Sequence, residues 1–178
     1  MRCAIITAVF PPEPVVSAQT SFDVATELRR RGVDVDVIAP FPNRPGGELA
    51  PNVRRRLFST EYCDGIRVTR CFATLSPSGS IAARLFENLS FGVTSSLRLA
   101  FARRPDVVYS NTWPVFATAV IAVVAKMRRI PVVISVQDLY PESLFAQRRI
   151  HKKNIAAGIL RAIDRRNANS AAHLCVIS

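Results

Sequence analysis

Gln137 and Asp138 follow VVISV, residues 132–136, and lead into Leu-Tyr-Pro-Glu-Ser. An amide and a carboxylate on the lip of an apolar strand stand where α/β proteins place their ligands. The carboxylate can orient a hydroxyl, or it can simply bond the amides of the next turn. Gln137 is limited to hydrogen bonding, because an amide shuttles no proton at neutral pH. Glu142, in the Pro-Glu-Ser turn, is also suited to opening a helix, where the local dipole favours an acid. A second polar lip, SNT at 110–112, precedes the only tryptophan, Trp113, which is either a packing plug or a flat platform for a ring. A third, FPPEPVVSA, follows the first apolar run and carries Val16 and Ser17. It holds no GxGxxG, so a dinucleotide-binding reading loses its main support.

Apolar runs that alternate with helical patterns position these lips. Strands are expected at 2–9, 33–40, 65–72, 106–111, 132–136 and 171–178. Helices are expected from Ser17 or Ser21, as cap, to Arg31, then over 81–103, 115–129 and 155–169. Gly32 stops the first helix as a C′ glycine, and Gly92 marks a kink or a break in the second. In that helix Ile81, Leu85, Leu89, Val93, Leu97 and Phe101 recur every fourth position, a row that wraps around the helix. Residues 40–60, rich in Pro and Gly, read as a long loop with a functional or mobile character. Strands apolar on both sides and alternating with helices point to an α/β class: a Rossmann-like, doubly wound, mainly parallel sheet covered on both faces.

The chain has 178 residues, 49% of them hydrophobic, which suits one well-packed domain. Its net charge of +11 implies an anionic partner (phosphate groups, anionic lipid or nucleic acid) unless the charge only solvates the surface. The four cysteines form no CxxC pair, and neither histidine stands near them in a zinc-like spacing, so no metal is expected. Cys3 and Cys175 read as small buried hydrophobes of a reducing compartment. The N-terminus lacks the features of a signal peptide, and the longest apolar run, 113–125, is too short to span a bilayer. A cytoplasmic chain is the expectation. The chain stops on its last strand, which suggests a piece of something longer.

Several stretches together resemble a known family. "FPPEPVVSA", "ELRRRGVDVDVIAPFPNRPGG", "DGIRVTRCF", "RPDVVYSNTWPVF", "VVISVQDLYPES" and "AAHLCVIS" occur in the order and spacing of the N-terminal domain of family 4, GT-B-fold retaining glycosyltransferases. The branch resembled serves bacterial surface polysaccharides, and the resemblance covers essentially residues 1–178. Three departures stand out. Val15-Val16-Ser17 replaces the glycines many members carry after the first strand, Gly32-Val33 replaces the familiar Gly-His, and Gln137 replaces a histidine. Asp138 matches the pattern.

The resemblance implies one half of a GT-B fold, with the C-terminal nucleotide-sugar-binding domain absent from this chain. Gln137 and Asp138 would line the catalytic cleft. Asn111, Thr112, Trp113, Tyr140 and Glu142 would form the acceptor wall, and Val16 and Ser17 would face the donor phosphates through backbone amides. No cofactor is expected on this chain; a UDP- or GDP-sugar is the substrate of the full enzyme. Expected partners are the missing domain or a donor-binding subunit, a glycan or lipid-linked acceptor, and an anionic membrane touched by Arg54, Arg55, Arg56, Arg84, Arg98, Arg103 and Arg104. Each such arginine contributes about 1 kcal/mol near an anionic surface. Alone, the domain is expected to be inactive, because transfer needs both walls of the cleft. Two alternatives stay open: a non-catalytic subunit of a split glycosyltransferase, and a basic nucleic-acid-binding Rossmann-like domain. Scattered arginines without interleaved aromatics weigh against the second, and no nucleic acid is expected.

Overall fold

The structure, a computed structural model, describes residues 1–49, 53–54, 56–75, 77, 80–112, 114–136 and 155–176. Its elements run β1 (Arg2–Ile6), α1 (Val16–Arg30), β2 (Asp34–Pro40), β3 (Phe58–Cys63), β4 (Ile66–Cys71), α2 (Ile81–Phe101), β5 (Val107–Asn111), α3 (Val115–Met127), β6 (Val132–Val136), α4 (Ile155–Ser170) and β7 (His173–Val176). The seven strands form one sheet in the order β3-β4-β2-β1-β5-β6-β7. Every pairing is parallel except β3 with β4. The fold is therefore the expected Rossmann-like α/β arrangement, with one strand more than the sequence reading contained.

That strand, β3, lies inside what read as loop and turn. Its burial is low and its residues, FSTEYC, are half polar, so hydrophobic alternation does not reveal it. The signal was the turn. Asp64 and Gly65 both take positive φ, 47° and 73°, as a two-residue hairpin connection requires, and Asp-Gly is its common sequence.

Alternate residues of β1 divide the core. Cys3 and Ile5 pack with Val35, Val37, Ile66 and Val68 against Phe22, Ala25 and Leu28 of α1. Ala4 and Ile6 pack with Ile38, Val108, Val132 and Ile134 against Phe91 and Leu99 of α2 and Ala117, Ile121 and Ala125 of α3. So α1 covers one face of the sheet, and α2 and α3, with α4 packed on α3, cover the other.

Gly92 does not break α2, which is continuous over Ile81–Phe101. Its reason is proximity: a Cβ there would lie 2.8 Å from the Cα of Ala117. The glycine lets α2 and α3 touch backbone to backbone. Gly92→Val is expected to force them apart and cost about 1–3 kcal/mol, read as a lowered urea midpoint. An unchanged midpoint would show that the contact is not tight.

One further expectation changes. Cys175 is exposed on the edge strand β7, because no element covers that strand among the described residues. The row along α2 wraps around the helix, as its spacing implies: Val93, Leu97 and Phe101 are exposed, Phe101 at 84%. The core contact falls instead to Phe91 and Leu99, which lie on the sheet side.

Candidate functional site

Strands β1, β2, β4, β5 and β6 run parallel, so their carboxyl ends share one edge. From β1 the chain leaves through α1 on one face, whereas α3 follows β5 on the other. The loops after β1 and β5 therefore diverge and leave a crevice between them, the usual ligand position in an open α/β sheet.

The floor of this crevice is a buried polar network. Thr7 Oγ1 and Ser21 Oγ share a hydrogen bond of 3.0 Å, and Asn111 Nδ2 donates to Thr7 Oγ1 at 3.2 Å. Ser21 donates to the carbonyl of Ser17 at 2.9 Å, and Thr118 to the carbonyl of Asn111 at 3.0 Å. The first turns of α1 and α3 are thus tied to the ends of β1 and β5. Thr112 donates its amide to the Ser135 carbonyl at 2.9 Å, and its buried hydroxyl has no partner among the described residues.

The wall after β1 is built without glycine. Phe10 to Glu13 form a turn, with the Phe10 amide donating to Glu13 Oε2 at 3.1 Å. The Glu13 carbonyl accepts from the Val15 amide at 2.9 Å, and helix α1 begins at the next residue. Neither Ser17 nor Ser21 caps it. The N-cap is Val15, no side chain bonds the open amides, and the first turn holds no acid. The Ala18 and Gln19 amides turn back to the Val15 carbonyl. Among the described residues, those of Val16 and Ser17 meet no acceptor. Free amides and the positive end of a helix dipole make a position suited to an anion.

Charged groups brace this wall from beneath. Glu13 is 5% exposed, and its Oε1 accepts from the amides of Asn43 and Arg44, each at 3.0 Å. Burial pushes the Glu13 carboxyl above its ordinary range, and those amides with the Arg70 charge pull it back only in part. The same Asn43 and Arg44 donate through their side chains to Glu87 Oε1, at 3.2 and 2.7 Å. Arg70, 1% exposed, donates to the carbonyls of Pro11 and Pro40 and to Glu61, and lies 6.0 Å from the Phe10 ring centre. The start of the long loop after β2 is therefore held at both backbone and side chain.

Among the residues singled out from sequence, Val16 and Ser17 stand at the opening of α1, Val16 at 85% exposure. Asn111 is part of the buried floor and Thr112 lies beside it. Gln137, Asp138, Trp113, Tyr140, Glu142 and Arg55 lie outside the described residues. The remaining arginines divide between two places. Arg54 and Arg56 precede β3, whose first residue pairs with the end of β4, and Arg84 sits in the first turn of α2. Arg98, Arg103 and Arg104 lie at the far end of that helix, roughly 21 Å from Arg84 along its axis. Arg98 and Arg103 line a small cavity there with Asp36, Thr69 and Leu99. Glu13, Arg44, Arg70 and Glu87 were not anticipated, since their role depends on contacts between loops distant in sequence. Among the described residues no cluster of His, Cys, Asp or Glu could hold a metal, and no helix is long and apolar enough to cross a membrane.

The family model of the glycosyl transferase 4-like domain matches residues 17–178. No curated protein matches the chain. Among solved structures the chain is similar to MurG of Acinetobacter baumannii, at 11% identity and a TM-score of 0.46, over 98% of this chain and 40% of that one. It is also similar to the Sure protein of Aquifex aeolicus, at 13% identity and a TM-score of 0.42, over 96% of this chain and 61% of that one. The chain thus spans less than two thirds of either structure. On the match over residues 17–178, the chain belongs to the glycosyl transferase 4-like domain family.

Proposed function

We propose that this chain is the N-terminal, acceptor-side half of a retaining glycosyltransferase of GT-B architecture. It moves a sugar from a UDP- or GDP-sugar to a glycan or lipid-linked acceptor in bacterial surface-polysaccharide synthesis. The observation that carries the reading is the open start of α1, where the amides of Val16 and Ser17 meet no acceptor among the described residues and the first turn holds neither a side-chain cap nor an acid. In a glycosyl-transfer domain that end suits the donor's diphosphate, whose charge grows as the glycosidic bond to it breaks. Asp138 and Gln137, on the lip of β6, would orient the reacting hydroxyl, and Thr112, Trp113, Tyr140 and Glu142 would complete the acceptor wall over the Asn111 floor. The leaving diphosphate and most nucleotide contacts need a second wall, supplied by a further domain or subunit, so the isolated domain should transfer nothing. Calorimetric titration of the full-length protein with UDP- and GDP-sugars tests the reading. Binding of one of them supports it, and the absence of heat with all of them sinks it.

Peripheral attachment to an anionic membrane belongs to the same reading. Phe86, Val93, Leu97 and Phe101 expose an apolar stripe along α2, and Val123 and Met127 extend it on α3. Arg103, Arg104, Lys126 and Arg129 frame one end, where Arg104 donates to the Arg129 carbonyl at 2.6 Å. Between residues 88 and 136 the only acid is Asp106. Such a stripe with a cationic rim fits an interfacial surface, and its positive charge disfavours pairing with a second copy. The protein is expected to sediment with phosphatidylglycerol vesicles at low salt, and Phe101→Ser with Met127→Ser to weaken this roughly tenfold or more. Equal sedimentation of the variant, or none by the wild type, would refute it.

A further inference from the structure

The Asn43–Arg44 pair is gripped from two sides by buried carboxylates. Glu13 takes both backbone amides, and Glu87 takes both side chains. Glu13 also closes the turn that opens α1, through the Phe10 amide and its own carbonyl. One side chain therefore joins the loop after β1 to the loop after β2. Glu87 anchors the second of these to α2, on the opposite face of the sheet from α1.

We propose that Glu13 is a positioning residue for the donor site. By fixing the Phe10–Val15 turn and the Asn43–Arg44 segment as one body, it sets the direction in which the Val16 and Ser17 amides point. The inference rests on the reading of that helix end as the diphosphate site. The loop from Thr7 to Val16 contains no glycine, so its conformation must be held in another way. A glycine loop lets backbone approach a phosphate by removing side chains; here a carboxylate holds a non-glycine turn in one conformation instead. The cost of holding amides in the right direction is met on folding and is not levied on the ligand. Asn43, 4% exposed, and Phe41, 7%, show that this part of the loop is packed by the chain's own residues.

Three backbone amides converge on one carboxylate, and only an ionised or acceptor-facing group satisfies all three. In Glu13→Gln the carboxamide has one acceptor oxygen and one NH2. At least one of the Phe10, Asn43 and Arg44 amides then faces a donor, and the turn loosens.

The test compares the full-length wild type with Glu13→Gln and with Ile121→Val, a core change on the opposite sheet face that lowers stability without touching the site. The readouts are the dissociation constant for UDP and GDP and the amide exchange of residues 15–18. Glu13→Gln is expected to bind the nucleoside diphosphate roughly tenfold more weakly and to exchange those amides faster, with Ile121→Val unchanged in both. Wild-type affinity in Glu13→Gln, or an equal loss in Ile121→Val, overturns the proposal while leaving the site reading intact. Failure of the wild type to bind either nucleotide removes the site reading and this inference together. Should Glu13→Gln not fold, the wild type decides: the Phe10, Asn43 and Arg44 amides should exchange as one cooperative unit, and independent exchange overturns the proposal.

Discussion

Val16→Pro is expected to weaken the binding of a nucleoside diphosphate by roughly 10- to 150-fold, the loss of a hydrogen bond to a charged group worth about 1.5–3 kcal/mol. The substitution is unusually clean. Val16 is the first residue of α1, and proline is favoured at that position because its amide has no partner within the helix. Val15 already has the extended backbone a following proline demands, with φ −125° and ψ 144°. The valine side chain is 85% exposed, so no packing is lost. The variant thus removes one N–H and little else. Its melting temperature should match or exceed that of the wild type, which separates lost recognition from lost structure. Unchanged affinity in a folded Val16→Pro protein would move the diphosphate away from this helix.

Arg70→Ala is expected to cost about 2–5 kcal/mol of stability, which for a domain of this size lowers the melting temperature by roughly 4–20 °C. The guanidinium is fully buried and fills the space between the loops after β1 and β2. Its removal leaves the carbonyls of Pro11 and Pro40 without their donor and opens a void beside Phe10. Glu61, its ion-pair partner, is half exposed at 48% and regains water, so the carboxylate adds little to the loss. Arg70→Lys keeps the charge but not the fork that reaches two carbonyls, and should fall between. Thermal unfolding followed by circular dichroism gives both values. A change below about 1 kcal/mol would show that the loops hold themselves without this residue.

Much of the fold was legible because burial on both sides leaves an unambiguous apolar signature. The runs at Cys3–Ile6, Val35–Ala39 and Val132–Ser135 announce central parallel strands, and Gly32, at φ +79°, marks the end of α1 as expected. Elements at the margin were harder. The outer strand β3 is too polar for alternation, and only the Asp64-Gly65 turn betrays it. Gly92 looked like a breaker because sequence shows its lack of a side chain and not the neighbour that requires it. The candidate site divides in the same way. Its position at the strand ends follows from the α/β pattern, whereas Val16 and Ser17 are suggested only by the family resemblance, since the helix signal places the cap at Ser17 or Ser21 and the helix opens earlier, after Val15. Ser17 or Ser21 suits a cap by sequence, yet the Ser21 hydroxyl bonds the Ser17 carbonyl within the helix, and neither side chain reaches the open amides. The braces formed by Glu13, Glu87 and Arg70 join residues 30 to 59 positions apart. No local pattern carries such pairings, and a single Glu in a Pro-rich loop reads as solvent-facing until the loop that covers it is in place.

Glycosyl transfer at this strand edge is tested by following the transfer itself. The full-length protein would be incubated with radiolabelled UDP- and GDP-sugars and membranes from its source cells, beside Val16→Pro. Label is expected in the lipid or glycan fraction with matching release of nucleoside diphosphate, and at least tenfold less of both from Val16→Pro at limiting donor. A folded wild-type protein that releases no nucleoside diphosphate and moves no label from any of these donors would contradict glycosyl transfer at this edge.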